Sequence, residues 1–101
     1  LEGLSDLLHT VNLVQERLNP ELAMEGVVFT MFDARTNLSN QVVENVKNYL
    51  GQNIYKTVIP RNVRLAEAPS YGQPINVYDP KSAGAEAYAM LADEVIKRKE
   101  V

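Results

Sequence analysis

Apolar residues in the first eighteen positions recur at helical spacing. Leu4, Leu7, Leu8, Val11, Val14 and Leu18 share one face, while Asp6, Asn12, Glu16 and Arg17 lie elsewhere on the wheel. This predicts an amphipathic helix that closes at Asn19-Pro20, because the residue before proline avoids the helical region. After Glu25-Gly26 comes Val27-Val28-Phe29-Thr30-Met31-Phe32, a short apolar run bounded by polar residues. Such a run suits a strand buried on both faces of a parallel sheet. Residues 33–39 are polar and turn-rich, with Asn37 and Ser39 as candidate helix caps. Val42, Val43, Val46, Tyr49 and Leu50 mark a second amphipathic helix, stopped by Gly51.

Ile54 to Ile59 is β-branched and aromatic apart from Lys56, and reads as a second strand ended by Pro60. Residues 61–74 have no clean period and contain Pro69, Gly72 and Pro74. They form a long loop with one helical turn expected around Val63 to Ala68, and loops of this length are often functional. Ile75 to Tyr78 reads as a short extended segment. Asp79-Pro80 then offers an N-cap and first helical residue, with Ser82 as a competing cap. The last helix carries Tyr88, Leu91, Ala92, Val95 and Ile96 on one face and ends in Lys97-Arg98-Lys99, where cations suit the helix dipole. Alternation of helix and strand means crossover units on a parallel sheet, hence an α/β fold of which two strands are only a part.

Length and composition narrow this picture without changing it. The chain has 101 residues, 46% of them apolar and 23% charged, which is room for one small, folded domain at most. It opens in mid-pattern at Leu1, so it reads as a piece of something longer. A net charge of −3 argues against a protein built mainly to coat nucleic acid, though a local basic cluster stays possible. There are no cysteines, so disulfides and thiolate metal sites are excluded. No apolar run approaches the ~20 residues of a membrane span, and no signal-peptide pattern or internal repeat is present.

Ligands of open α/β sheets bind outside the carboxyl ends of the strands. The segments 33–37 and 60–64 leave those ends, bringing three arginines and two asparagines to one edge beside Asp33 and Glu67. Composition alone makes this a candidate anion or nucleotide site, and on pattern alone Arg35 with Asp33 and Arg64 with Glu67 read as surface ion pairs. His9 stands alone on a helix without neighbouring ligand types, so a structural role is expected of it. Tyr49 and Tyr88 sit at core spacing, Lys97-Arg98-Lys99 reads as a solvated helix end, and Glu44, Asp93 and Glu94 lie on polar helix faces. No catalytic set or metal cluster emerges from these residues.

Three blocks carry a family resemblance. Thr30-Met-Phe-Asp-Ala-Arg-Thr-Asn-Leu-Ser39, Val58-Ile-Pro-Arg-Asn-Val-Arg-Leu-Ala-Glu-Ala-Pro-Ser70 and Tyr78-Asp-Pro-Lys-Ser82 with Gly84-Ala-Glu-Ala-Tyr88 resemble the ParA/Soj partitioning ATPases, in order and over nearly the whole chain. The resemblance implies the C-terminal part of a doubly wound, mainly parallel P-loop NTPase sheet with flanking helices, residues 1–101 being one portion of a single domain. It implies an ATP- and Mg2+-dependent homodimer, cytoplasmic and nucleoid-associated, that binds DNA without sequence preference and answers to a ParB-type partner. The family's phosphate loop is absent, since no G-x-x-x-x-G-K-S/T pattern occurs in these residues. The piece alone is therefore expected neither to hydrolyse ATP nor to bind it tightly. By matching position, Met31, Asp33, Pro60 and Arg61 fall where the family holds adenine, and Arg35 and Arg64 where it contacts DNA. Lys56 and Lys81 would extend that basic patch. A MinD-like membrane-associated ATPase and a non-enzymatic dimerisation module are the rival readings. The first would call for a membrane-targeting helix at the end, where the sequence has only a short basic turn.

Overall fold

The computed structural model describes residues 2–50 and 53–99. Its elements are α1 (Glu2–Arg17), β1 (Val27–Phe32), α2 (Asn37–Leu50), β2 (Ile54–Pro60), α3 (Val63–Glu67), a 3-10 turn (Ala68–Tyr71), α4 (Ile75–Tyr78) and α5 (Ala83–Lys99). β1 and β2 pair in parallel, and α2 makes the crossover between them. The chain is thus α/β, as its alternating pattern predicts, with helices flanking a two-stranded parallel sheet. Among the described residues no helix is long and apolar enough to cross a membrane.

The pairing is irregular in two places. From Val27 to Phe29 in β1 the partners run from Ile54 to Val58 in β2, so β2 carries two extra residues there. From Phe29 to Phe32 the partners run from Val58 to Pro60, so β1 carries one extra residue. Extra residues bend a strand and re-aim its side chains and amides.

Ile59 is the most deeply buried large side chain, at 1% exposure, with Val46, Tyr55, Ala68, Ala85 and Ala87 around the same small core. Small residues on α5 allow close approach. A Cβ on Gly84 would run into the Leu65 side chain of α3, and one on Gly26 would run into the Tyr55 ring. β1 is not buried on both faces as its apolar run suggests: Thr30 and Met31 are exposed and the other four residues half-buried. A two-stranded sheet has too few covering layers to bury a strand completely.

Local chemistry redraws several boundaries. Thr36, rather than Asn37 or Ser39, caps α2, its Oγ1 accepting the Ser39 N–H at 3.2 Å. Gly51 falls outside the described residues, as does the side chain of Tyr49. In the long connection, Asn62 caps α3 by accepting the Leu65 N–H at 3.3 Å, and Gly72 ends the 3-10 turn at φ 63°, a left-handed geometry that glycine adopts freely. Ile75 to Tyr78 is a helical turn, not an extended segment. The Tyr78 N–H reaches the Pro74 carbonyl at 2.9 Å, and the Tyr78 ring stacks on Tyr71 with centroids 5.1 Å apart. Ser82, not Asp79-Pro80, opens α5, with its Oγ accepting the Ala85 N–H at 3.1 Å.

Candidate functional site

Parallel pairing sets the carboxyl ends of β1 and β2 side by side, and the Arg61 N–H closes that edge on the Phe32 carbonyl at 3.1 Å. The extra residue in β1 is absorbed at Met31, whose φ of 52° is the only positive value on a non-glycine residue among those described. That conformation is costly for a side chain with a Cβ, and such strain concentrates at functional sites. Its effect is to turn Met31 outward, 67% exposed, over the end of the sheet.

Met31 there borders a cavity of about 720 Å³ together with Ile59, Pro60, Arg61, Asn62 and Tyr88. The size and lining, apolar walls with a few polar groups, suit a small organic ligand. Three of the four residues expected around a base, Met31, Pro60 and Arg61, thus come together. Asp33 does not line this space. It faces Arg35, which donates from Nε to Oδ1 and from Nη2 to Oδ2, both at 3.0 Å, and from its backbone N–H to Oδ1 at 3.0 Å. Those bonds hold the Asp33 carboxyl well down, to about 2. Its own N–H donates to Ser39 Oγ at 3.3 Å, so Asp33 organises the turn into α2.

Arg35 lies in the loop after β1, whereas Arg64 sits on the helical turn α3 and not on a loop; both are exposed, their side chains 90% and 54% accessible. Arg64 meets Glu67 Oε1 through Nη1 at 3.2 Å and Asp79 Oδ2 through Nε at 3.3 Å. The Tyr78 hydroxyl, then Glu67 and Asp79, make its guanidinium a still weaker acid than usual. The ion pairs Arg35–Asp33 and Arg64–Glu67, read from the residue pattern alone, are therefore both formed. Lys56 lies at the far end of β2, and Lys81 is exposed in the turn before α5. His9 is exposed on α1. Among the described residues no three His, Asp or Glu side chains converge as metal ligands would.

Tyr88 is not a core residue: it is 41% exposed and lines the cavity. Arg98 is not a solvated helix end. Its guanidinium lies 4.2 Å from the Tyr55 ring centroid and donates to the Ile54 carbonyl at 2.7 Å. Neither it nor Glu94 could be placed from helical period, because their partners lie some forty residues back in the chain. A second space, of about 600 Å³, runs between β2 and α5, but Glu94 and Arg98 there already bond the strand backbone.

A cavity with an apolar lip at the carboxyl ends of parallel strands is a nucleotide-site geometry, and family comparison agrees with it. Residues 2–75 match the family described as CobQ/CobB/MinD/ParA nucleotide binding domain. The chain belongs to this family, in its ParA/Soj group. It is 65% identical over 95 residues to the sporulation initiation inhibitor protein Soj of Bacillus subtilis, covering 94% of this chain and 38% of that protein. Identity is 53% over 98 residues to the chromosome partitioning protein ParA of Myxococcus xanthus, covering 97% of this chain and 35% of that one. It is 49% over 98 residues to the chromosome-partitioning ATPase Soj of Thermus thermophilus, covering 97% and 39%. The chain thus spans under two-fifths of these relatives' length. Within this ParA/Soj sequence, the residues hidden from pattern reading were Asp79 and Tyr78, whose approach to Arg64 depends on the fold of the 61–80 connection.

Proposed function

We propose that these residues form the base-binding and DNA-facing edge of a ParA/Soj-type ATPase that acts in chromosome or plasmid partitioning. The observation that carries the reading is the meeting of Met31, Pro60 and Arg61 at one cavity, beside two arginines that point away from the core. A thioether and a proline ring offer flat apolar contact to adenine, and neighbouring backbone groups can read its edge. Arg35 and Arg64 would meet DNA phosphates as forked donors. The relatives' names, chromosome partitioning protein and chromosome-partitioning ATPase, support the role.

On this reading the cavity would hold the base of ATP. The triphosphate and its Mg2+ would be held by a phosphate loop supplied elsewhere in the whole protein, because these residues contain no such pattern. In that protein we place ATP-dependent homodimerisation, non-specific DNA binding on the nucleoid in the cytoplasm, and stimulation by a ParB-type partner.

The full-length protein tests this directly. Met31→Asn keeps a residue tolerant of positive φ but removes the apolar contact, and should weaken binding of a fluorescent ATP analogue severalfold. Arg35→Ala and Arg64→Ala should each weaken binding to unrelated DNA duplexes equally and lower the salt slope by about 0.9. Unchanged nucleotide affinity in Met31→Asn would remove the base pocket from this edge. An unchanged salt slope in both arginine variants would remove the DNA assignment.

A further inference from the structure

Arg35 and Arg64 are not equally available. A guanidinium has two forked edges, one formed by Nε with Nη2 and one by the two terminal nitrogens. Asp33 fills the Nε–Nη2 edge of Arg35 with two bonds of 3.0 Å and leaves the terminal edge facing solvent. At Arg64 two carboxylates sit on different sides: Asp79 takes Nε at 3.3 Å and Glu67 takes Nη1 at 3.2 Å. Nε and Nη1 of Arg64 are therefore each engaged by a separate carboxylate, with which an incoming phosphate must compete. The charges agree, since Asp33 with Arg35 sums to zero while Glu67, Asp79 and Arg64 sum to −1.

We propose that Glu67 and Asp79 are built-in competitors of phosphate at Arg64, positioning residues that set how tightly this edge holds DNA. The inference rests on the reading of Arg64 as a DNA contact. The restraint joins two separate stretches of the 61–80 connection. Arg64 and Glu67 lie on α3, and Asp79 follows α4 directly. Tyr78, beside Asp79, is anchored by its stack on Tyr71. A shift of α4 relative to α3 would withdraw Asp79 and open the Nε edge, so the local packing of this loop, and not the arginine alone, governs phosphate binding. Exposed ion pairs are weak, so the restraint is a graded one that phosphate can displace.

Asp79→Asn is a mild change, because the turn into α5 uses the Asp79 backbone carbonyl, which accepts from the Ser82 N–H and Oγ at 3.1 and 2.8 Å. Binding of the full-length protein to a fluorescent duplex would be titrated over a salt series for Glu67→Gln, Asp79→Asn, Arg64→Ala and each pair. Glu44→Gln, an exposed carboxylate on α2, reports the effect of removing one negative charge anywhere. Glu67→Gln and Asp79→Asn should each tighten binding about two- to fivefold beyond Glu44→Gln, and the gain should vanish when Arg64 is alanine. Gains equal to Glu44→Gln, or gains that persist without Arg64, overturn the proposal while the DNA role of Arg64 stands. If Arg64→Ala itself leaves binding unchanged, the DNA role falls and this inference with it.

Discussion

Glu94 offers the sharpest test of how the fold is held. Two extra residues in β2 between Ile54 and Val58 turn the consecutive N–H groups of Lys56 and Thr57 toward α5. The Glu94 carboxylate accepts both, at 2.7 and 2.9 Å, and Arg98 sits beside it at 3.4 Å while bonding the Ile54 carbonyl. One side chain thus closes the exposed edge of β2 and fixes the C-terminal half of α5 to it. Glu94→Ala removes both bonds. Hydrogen bonds to a charged group contribute roughly 1.5–3 kcal/mol each, but the vacated edge can take up water, so the net loss should be about 2 kcal/mol. For a chain of this size that lowers the melting temperature by about 8–16 °C. Burial pushes the Glu94 carboxyl up, yet the Lys56 and Thr57 amides with Arg98 outweigh it and leave it below its ordinary value. A lowered carboxyl stabilises the fold above its unfolded value, and that contribution is lost as pH falls through the lowered folded value. Thermal unfolding by circular dichroism between neutral and acidic pH, with hydrogen exchange at the Lys56 and Thr57 amides, measures both effects. Glu94→Ala should melt lower at neutral pH, converge with the parent in acid and expose those two amides. A melting temperature within a degree of the parent, with unchanged exchange, would refute this account of the edge.

Two further outcomes follow from close packing and backbone geometry. Gly84→Ala gains about 1 kcal/mol of helix propensity but drives a methyl into Leu65, and overpacking costs about 1–3 kcal/mol, so the net effect should be a loss near 1 kcal/mol. In a Leu65→Ala background, Gly84→Ala should cause no further loss, which a double-mutant melting cycle reads. At Met31, a β-branched residue tolerates φ 52° poorly, so Met31→Val should destabilise by about 1–3 kcal/mol, whereas Met31→Gly should match or exceed the parent in urea unfolding. Equal stability of the two variants would show that the positive φ is not a constraint.

Much of the fold was legible in the chain. The periodicity of Leu4 to Leu18 and of Val42 to Leu50 marked α1 and α2, and the apolar runs at Val27 and Ile54 marked both strands within a residue. The errors share a cause. Thr36, Ser82 and Pro74 set the starts of helices through hydrogen bonds that compete with neighbouring candidates, and period alone does not rank such candidates. The meeting of the segments after β1 and β2 at one edge was readable because parallel strands put their carboxyl ends together, whereas Met31 was indicated only by the family resemblance. The pairing of Asp33 with Arg35 was the option the residue pattern alone favoured, and only the family resemblance set Asp33 at the base.

The sequence by itself determined the α/β class, the order of elements and the two loops that carry the polar groups, because local period and loop position are properties of neighbouring residues. Tertiary structure alone decided three things. Opposed extra residues in the two strands turned Met31 outward at one end of the sheet and two amides toward Glu94 at the other. Folding of the 61–80 connection then brought Asp79 to Arg64, fifteen positions apart in the chain. Register and loop closure depend on contacts between distant segments, and no pattern within a single element encodes them.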